Sequence, residues 1–113
     1  MNDPILKTNL VVIGGGPGGY TSAFRAADLG QNVILIDKNT NLGGVCLNRG
    51  CIPSKSLLHL SKIINDAKKA ENMGVKFSSP DINVENIHQW KNKIINDLSN
   101  GISKLAKVRN IKI

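Results

Sequence analysis

Acidic side chains, aromatics, cysteines and long apolar runs are all scarce in this chain of 113 residues. Eight Asp and Glu stand against 15 Lys and Arg, giving a formal net charge of +7. Aromatic residues make up only 4%, too few for the stacking platforms that hold single-stranded nucleic acid. The lysines are scattered through the amphipathic second half, so the charge reads as solvated helix surface and nucleic acid is not an expected partner. No apolar run approaches the ~20 residues that cross a bilayer. The opening stretch MNDPILKTN lacks both the cationic start and the apolar core of a signal peptide. A cytoplasmic protein with no membrane partner is therefore expected. Two cysteines without a secretory signal argue against a disulfide scaffold and for a redox or metal role. What remains is ordinary for one soluble globular domain, 41% hydrophobic and 20% charged.

The order of segments points to an α/β fold. TNLVVIGGG carries a continuous apolar run, Leu10 to Ile13, that ends in glycines and suits a strand buried on both faces. PGGYTSAFRAADLG reads as a helix closed by Gly30, and QNVILID as a second buried strand, Val33 to Ile36. Together, residues 8–38 form a β-α-β unit, which implies a parallel sheet with a right-handed crossover. Residues 1–7 read as a tail. Two long amphipathic helices are expected further on, at about 53–73 and 84–107. Leu57, Leu58, Ile63, Ile64, Ala67 and Ala70 form the apolar stripe of the first, and Gly74 ends it. Ile87, Trp90, Ile94, Leu98, Ile102 and Leu105 form the stripe of the second, with Trp90 read as core. VRNIKI begins to look like a strand.

Gly14, Gly16 and Gly19 spell G-x-G-x-x-G between the first strand and the first helix. The first glycine allows a tight turn, the second lets backbone approach a pyrophosphate, and the third lets helix pack on strand. The helix N-terminus adds free N–H groups and partial positive charge. Asp37 ends the second strand 18 residues after Gly19, where a carboxylate can accept from both ribose hydroxyls. A bound dinucleotide is expected, although the fingerprint does not separate NAD from FAD.

Cys46 and Cys51 lie five apart in GGVCLNRGCIPSK. On a regular helix that spacing puts the Cα atoms roughly 8.6 Å apart, whereas a disulfide wants ~4.4–6.8 Å. If they bond, the segment is an irregular turn, and Gly50 gives the backbone the freedom to make it. A bond closed under such constraint is expected to be readily reduced. Two inert buried thiols are the alternative. Zinc fits poorly, because two thiols do not complete its four-coordination, and no metal site is expected.

LGGVCLNRGCIPSKSLLH resembles the active-site signature of the flavin-dependent disulfide oxidoreductases. Within that family it is most similar to the dihydrolipoamide dehydrogenases of bacterial type, as are VVIGGGPGGYTSAFRAADLG and HQWKNKIINDL. CIPSK sets it apart from the CVPKK form of the glutathione reductases, and mercuric reductases are further relatives. The resemblance covers nearly the whole chain and implies a Rossmann-like FAD-binding domain, incomplete within these residues. It implies FAD held by Gly14, Gly16 and Gly19 at its pyrophosphate and by Asp37 at its ribose, where the family more often has glutamate. Lys38 through Gly44, with Gly43 and Gly44 among them, would line the cofactor, and Lys55 would lie near the flavin ring.

In residues 42–56, the redox-disulfide segment, Cys46 would be the thiol that exchanges with dihydrolipoamide and Cys51 the thiol beside the flavin. Arg49 stands where the family commonly has a small apolar residue. The implied activity is oxidation of dihydrolipoamide to lipoamide, with electrons passing by way of the cysteine pair and FAD to NAD+. Implied partners are a lipoyl domain of a 2-oxoacid dehydrogenase complex and a second copy in a homodimer. The implied base is a histidine of the partner subunit, which neither His59 nor His88 matches; both are read as helix-surface or packed histidines. The NAD, central and dimerisation domains are expected to lie outside residues 1–113. The 113-residue chain alone is expected to be inactive, and a non-catalytic remnant that at most binds FAD or a partner is the alternative.

Overall fold

The computed structural model describes residues 5–113, so most of the expected tail (1–4) lies outside the described residues. The elements run β1 (Leu10–Ile13), α1 (Pro17–Asp28), β2 (Val33–Ile36), α2 (Gly44–Arg49), α3 (Cys51–Lys69), a 3-10 turn (Ala70–Met73) and α4 (Val84–Val108). β1 and β2 pair in parallel, from Leu10 opposite Val33 to Ile13 opposite Ile36. This is the incomplete Rossmann-like unit that the sequence predicts. The VRNIKI stretch makes only a bridge, Lys112 to Ile34. Its amide donates to Val33 O at 3.2 Å and its carbonyl accepts from Leu35 N at 2.8 Å, on the edge of β2 away from β1. No helix among the described residues is long and apolar enough to cross a membrane.

The helix ends follow from local chemistry. α1 stops where Gly30 N–H bonds Ala27 O and Gln31 N–H bonds Ala26 O, with Gly30 at φ +82. α4 stops in the same motif, with Asn110 at φ +55 in the glycine's place. α4 begins at Asn83, whose side chain accepts from Asn86 N–H at 3.0 Å. α3 differs from its expected span. It starts at Cys51 rather than Pro53, because a proline in the first turn needs no N–H donor. It tightens into the 3-10 turn after Lys69, before Gly74.

The core gathers Ala23, Val33, Leu35, Leu42, Ala106 and Ile111, with Phe24 and Ile102 packed against it. Arg109 pins the far end of α4 to α1: its Nε donates to Asp28 at 2.8 Å, and its guanidinium lies 4.9 Å from the Phe24 ring centre.

Two expected burials are corrected. β1 is not buried on both faces; Leu10, Val11 and Ile13 are exposed, Ile13 by 84%. It pairs only with β2, so its outer edge and one face stay open. The buried face of α4 is also turned one residue from the expected stripe. Ile95, Ser99 and Ala106 face inward together with Ile102 from the expected stripe, whereas Leu98 and Leu105 are exposed and Trp90 is 38% exposed rather than core. Adjacent rows on a helix are about 100° apart, and the Ser99 bond to Leu42 O with Ala106 packed in the core goes with the smaller row. α3 and α4 project well beyond the core, giving extents of 70 × 32 × 19 Å and a radius of gyration of 20.3 Å. A compact domain of this size has ~13 Å, so the outward apolar rows of both helices are surface in this chain.

Candidate functional site

The fold brings together two motifs that are nearly 30 residues apart in sequence. The glycine turn after β1 lies against the segment that opens α2. Gly43 N–H donates to Gly15 O at 2.8 Å. Gly44, at φ +61, sits so close to Gly16 that a Cβ on Gly44 would fall 2.7 Å from Gly16 Cα. Only glycine fits there, on both counts.

Beneath the turn, α1 packs on β1 without a gap. A Cβ on Gly19 would lie 1.7 Å from Gly14 O. Above it the backbone is bare. A Cβ at Gly14 or Gly18 would meet nothing within 4 Å, and at Gly16 it would meet only Gly44 Cα at 3.8 Å. The N-terminus of α1 has no side-chain cap, leaving its first N–H groups open to a ligand. A cavity of about 340 Å³ opens at the C-terminal ends of both strands, lined by Ile13, Gly14, Ile36, Asp37, Lys38 and Asn39. That is where open α/β sheets hold their ligands.

Asp37 is held in place by amides. Its Oδ2 accepts from Gly15 N–H at 2.6 Å; Oδ1 accepts from Asn39 N–H at 2.7 Å and from the Asn39 side chain at 2.9 Å. The Asn39 and then the Gly15 amide hold the carboxyl below its ordinary 3.8; desolvation opposes them, and the Asn39 side chain and Lys38 add smaller pulls downward. A carboxylate offers about four acceptor positions, of which these bonds fill three, so the Asn39 side chain must turn aside for Asp37 to take two hydroxyls. Because the folded pKa is depressed, the stabilisation by Asp37 is complete above 3.8 and fades as pH falls through that value and below it. Asp37→Asn is expected to lower the urea midpoint at pH 7, with the gap to wild type closing towards pH 3. A gap unchanged across that range contradicts the charge-assisted role.

Cys46 and Cys51 are joined by a disulfide with a Cα–Cα distance of 4.7 Å. The bend that allows this is a break between two helices at Gly50 (φ −127, ψ −97), after the short α2 that the sequence reading did not anticipate. A Cβ on Gly50 would crowd the Val45 carbonyl at 3.3 Å. Both cysteines are half-buried. Lys55 lies one turn beyond Cys51 on α3 and is exposed. A second cavity, of about 500 Å³, lies beside Gly44 and Val45; Lys38 and Arg49 line it and no carboxylate does. Lys55 lines neither cavity.

Residues 8–113 match the family of pyridine nucleotide-disulphide oxidoreductases. The chain belongs to that family. Among similar members, dihydrolipoyl dehydrogenases from Buchnera aphidicola of Acyrthosiphon pisum and of Baizongia pistaciae are 53% and 54% identical over 108 residues. The dihydrolipoyl dehydrogenase of Vibrio parahaemolyticus is 49% identical over the same length. Each match covers 96% of this chain but 23% of the relative. The chain thus spans about a quarter of the length of the pyridine nucleotide-disulphide oxidoreductases it matches.

The sequence reading did not name Gly15, Asn48 or Ser99, and it placed Asn39 along the cofactor without its bonds to Asp37. Gly15 lies outside the fingerprint positions, yet a Cβ there would meet Leu42 Cδ2 at 2.6 Å and Asp37 Oδ2 at 2.9 Å. The run of three glycines was its only trace. Asn39, two residues after Asp37, is a local side-chain turn pattern that composition alone could have flagged. Asn48 and Ser99, which bond the loop before α2, left no local signal.

Proposed function

We propose that this chain is the FAD-binding and redox-disulfide segment of a dihydrolipoamide dehydrogenase. The observation that carries the reading is the seating of the disulfide-bearing segment on the glycine turn, through the Gly43–Gly15 bond and the Gly44–Gly16 contact. A dinucleotide on the turn would lie beside the segment that carries the cysteine pair. Gly14, Gly16 and Gly19, with the first turn of α1, hold the pyrophosphate, and Asp37 holds the ribose. Lys38, Gly43 and Gly44 would line the cofactor, and Lys55, exposed one turn beyond Cys51, would be the lysine near its ring. The bare backbone over Gly14, Gly16 and Gly18 supports the fit. FAD, when bound, would accept an electron pair from Cys51 and supply it as hydride to NAD+.

Cys46 Sγ takes the first thiolate of dihydrolipoamide. A mixed disulfide forms there as the Cys46–Cys51 bond breaks, and Cys51 leaves as thiolate. The second substrate thiolate then displaces Cys46, lipoamide departs with its disulfide closed, and the two electrons stay on the cysteine pair. The substrate thiols give up their two protons by way of a base, since thiolates are the reacting forms; one proton is released and the other joins the electron pair in the hydride. His59 and His88 lie on α3 and α4 and are not that base. The base, the nicotinamide site and the homodimer contacts are assigned to sequence outside residues 1–113. The enzyme works in the cytoplasm on a lipoyl domain of a 2-oxoacid dehydrogenase complex.

The test is steady-state turnover of the full-length protein, with its flavin identified after release by denaturation. NAD+ reduction driven by dihydrolipoamide, with FAD recovered, is the expected result. A flavin-free protein, or one that prefers glutathione disulfide or mercuric ion, contradicts the proposal.

A further inference from the structure

Ser99 sits in the row that α4 turns to the core, between Ile95 and Ile102, and is only 3% exposed. A hydroxyl in such a row is unfavourable unless it is bonded. Its partner is 57 residues away: Ser99 Oγ donates to Leu42 O at 2.9 Å. Leu42 is itself buried, and its carbonyl belongs to no helix or strand. The same carbonyl takes a longer bond, 3.4 Å, from Asn48 Nδ2, which also donates to Gly44 O at 2.9 Å. From Leu42 the chain enters Gly43, whose amide bonds Gly15 O, then Gly44 against Gly16, then Cys46. α4 therefore holds the first residue of the redox segment, ahead of the two contacts that seat it on the glycine turn.

We propose that Ser99 is a positioning residue, supported by Asn48: its bond to the Leu42 carbonyl sets where the stretch from Gly43 to Cys46 rests on the glycine turn, and so keeps Cys46 within reach of Cys51. The inference rests on the redox reading of the cysteine pair. Without the Ser99 hydroxyl, the buried carbonyl keeps only the long Asn48 bond, and the segment moves to find another donor. In the reduced state the two thiols then spend less time at bonding distance, so the equilibrium shifts towards the dithiol.

The experiment compares wild type, Ser99→Ala, Ser99→Thr and Asn48→Ala in the full-length holoenzyme. Thiol trapping in graded dithiol buffers reads the Cys46–Cys51 equilibrium and requires no flavin. Retention of flavin on dilution is read in parallel. Ser99→Ala is expected to favour the dithiol about tenfold, which corresponds to ~30 mV, and to release flavin more readily. Ser99→Thr, which keeps the hydroxyl, restores both. Asn48→Ala shifts the pair in the same direction by a smaller factor, and carries the test should Ser99→Ala not fold. A purely structural serine would lower the melting temperature and leave the thiol equilibrium at its wild-type value, and that result overturns the proposal. Equal shifts in Ser99→Ala and Ser99→Thr overturn it too. A wild type that holds no flavin refutes the proposed function, while the thiol equilibrium still decides the role of Ser99.

Discussion

Replacing Cys46 with serine in the full-length holoenzyme is expected to cut dihydrolipoamide oxidation by roughly 10³-fold or more while the flavin stays bound. A serine oxygen keeps the shape of the site, but it forms no mixed disulfide and is no leaving group for the second displacement. The loss falls on the chemical step, so the dependence on substrate concentration cannot rescue it. Little of the effect comes from unfolding. The pair closes a loop of sequence separation five, and so short a loop is worth only about 2 kcal/mol of chain entropy. Gly43 and Gly44, which seat the segment on the glycine turn, are untouched. Flavin absorbance together with steady-state NAD+ reduction checks both halves of the expectation. Turnover retained in the variant contradicts the role of Cys46.

The second large effect is on stability. Gly19→Ala places a methyl group 1.7 Å from Gly14 O and 2.8 Å from Gly14 C, both of them backbone atoms. No rotamer relieves this contact, so α1 has to lift from β1. The bond from Gly14 N–H to Ile36 O, 2.7 Å long, is put at risk with it. Overpacking costs typically 1–3 kcal/mol, and a clash with backbone belongs at about the top of that range or above it. A loss of about 3 kcal/mol lowers the melting temperature by roughly 10–20 °C. Gly18→Ala is the control. It is the neighbouring residue in α1, and its Cβ meets nothing within 4 Å. Alanine there should stay within about 0.5 kcal/mol of wild type, on the favourable side through helix propensity. Thermal unfolding of the two variants side by side checks the contrast. Equal effects would contradict the packing of α1 on β1.

Why some of this was legible in the sequence and some was not can be traced to particular residues. The β-α-β unit rests on local signals: an apolar run, a glycine turn, an alanine-rich helix and Gly30 in a left-handed cap. Each would be present in a short peptide. The burial of β1 is not local. A run such as Leu10–Ile13 reads as buried on both faces, yet its surroundings here are one strand and one layer of helices. The facing of α4 is not local either. Two adjacent rows of the helix are both apolar enough to serve, and the row that packs is the one with the small residues Ser99 and Ala106. A serine lowers the apolar score of its row, so periodicity chose the wrong one; the compensating acceptor, Leu42 O, is visible only once the chain has folded. The short α2 was hidden for a related reason. Gly43 and Gly50 flank its six residues and Gly44 is the first of them, which argues against a helix on propensity, while docking on the glycine turn supports one.

The account stands on a cysteine pair that opens and closes reversibly, as a structural staple does not. Equilibrating this chain in dithiol buffers of graded potential, trapping free thiols by alkylation and weighing the products measures that directly. Structural disulfides sit below about −300 mV. The account predicts that Cys46–Cys51 forms under mild oxidant and reaches half-reduction above that value. A pair still closed in buffers well below it, or two thiols that never join, would contradict the claim.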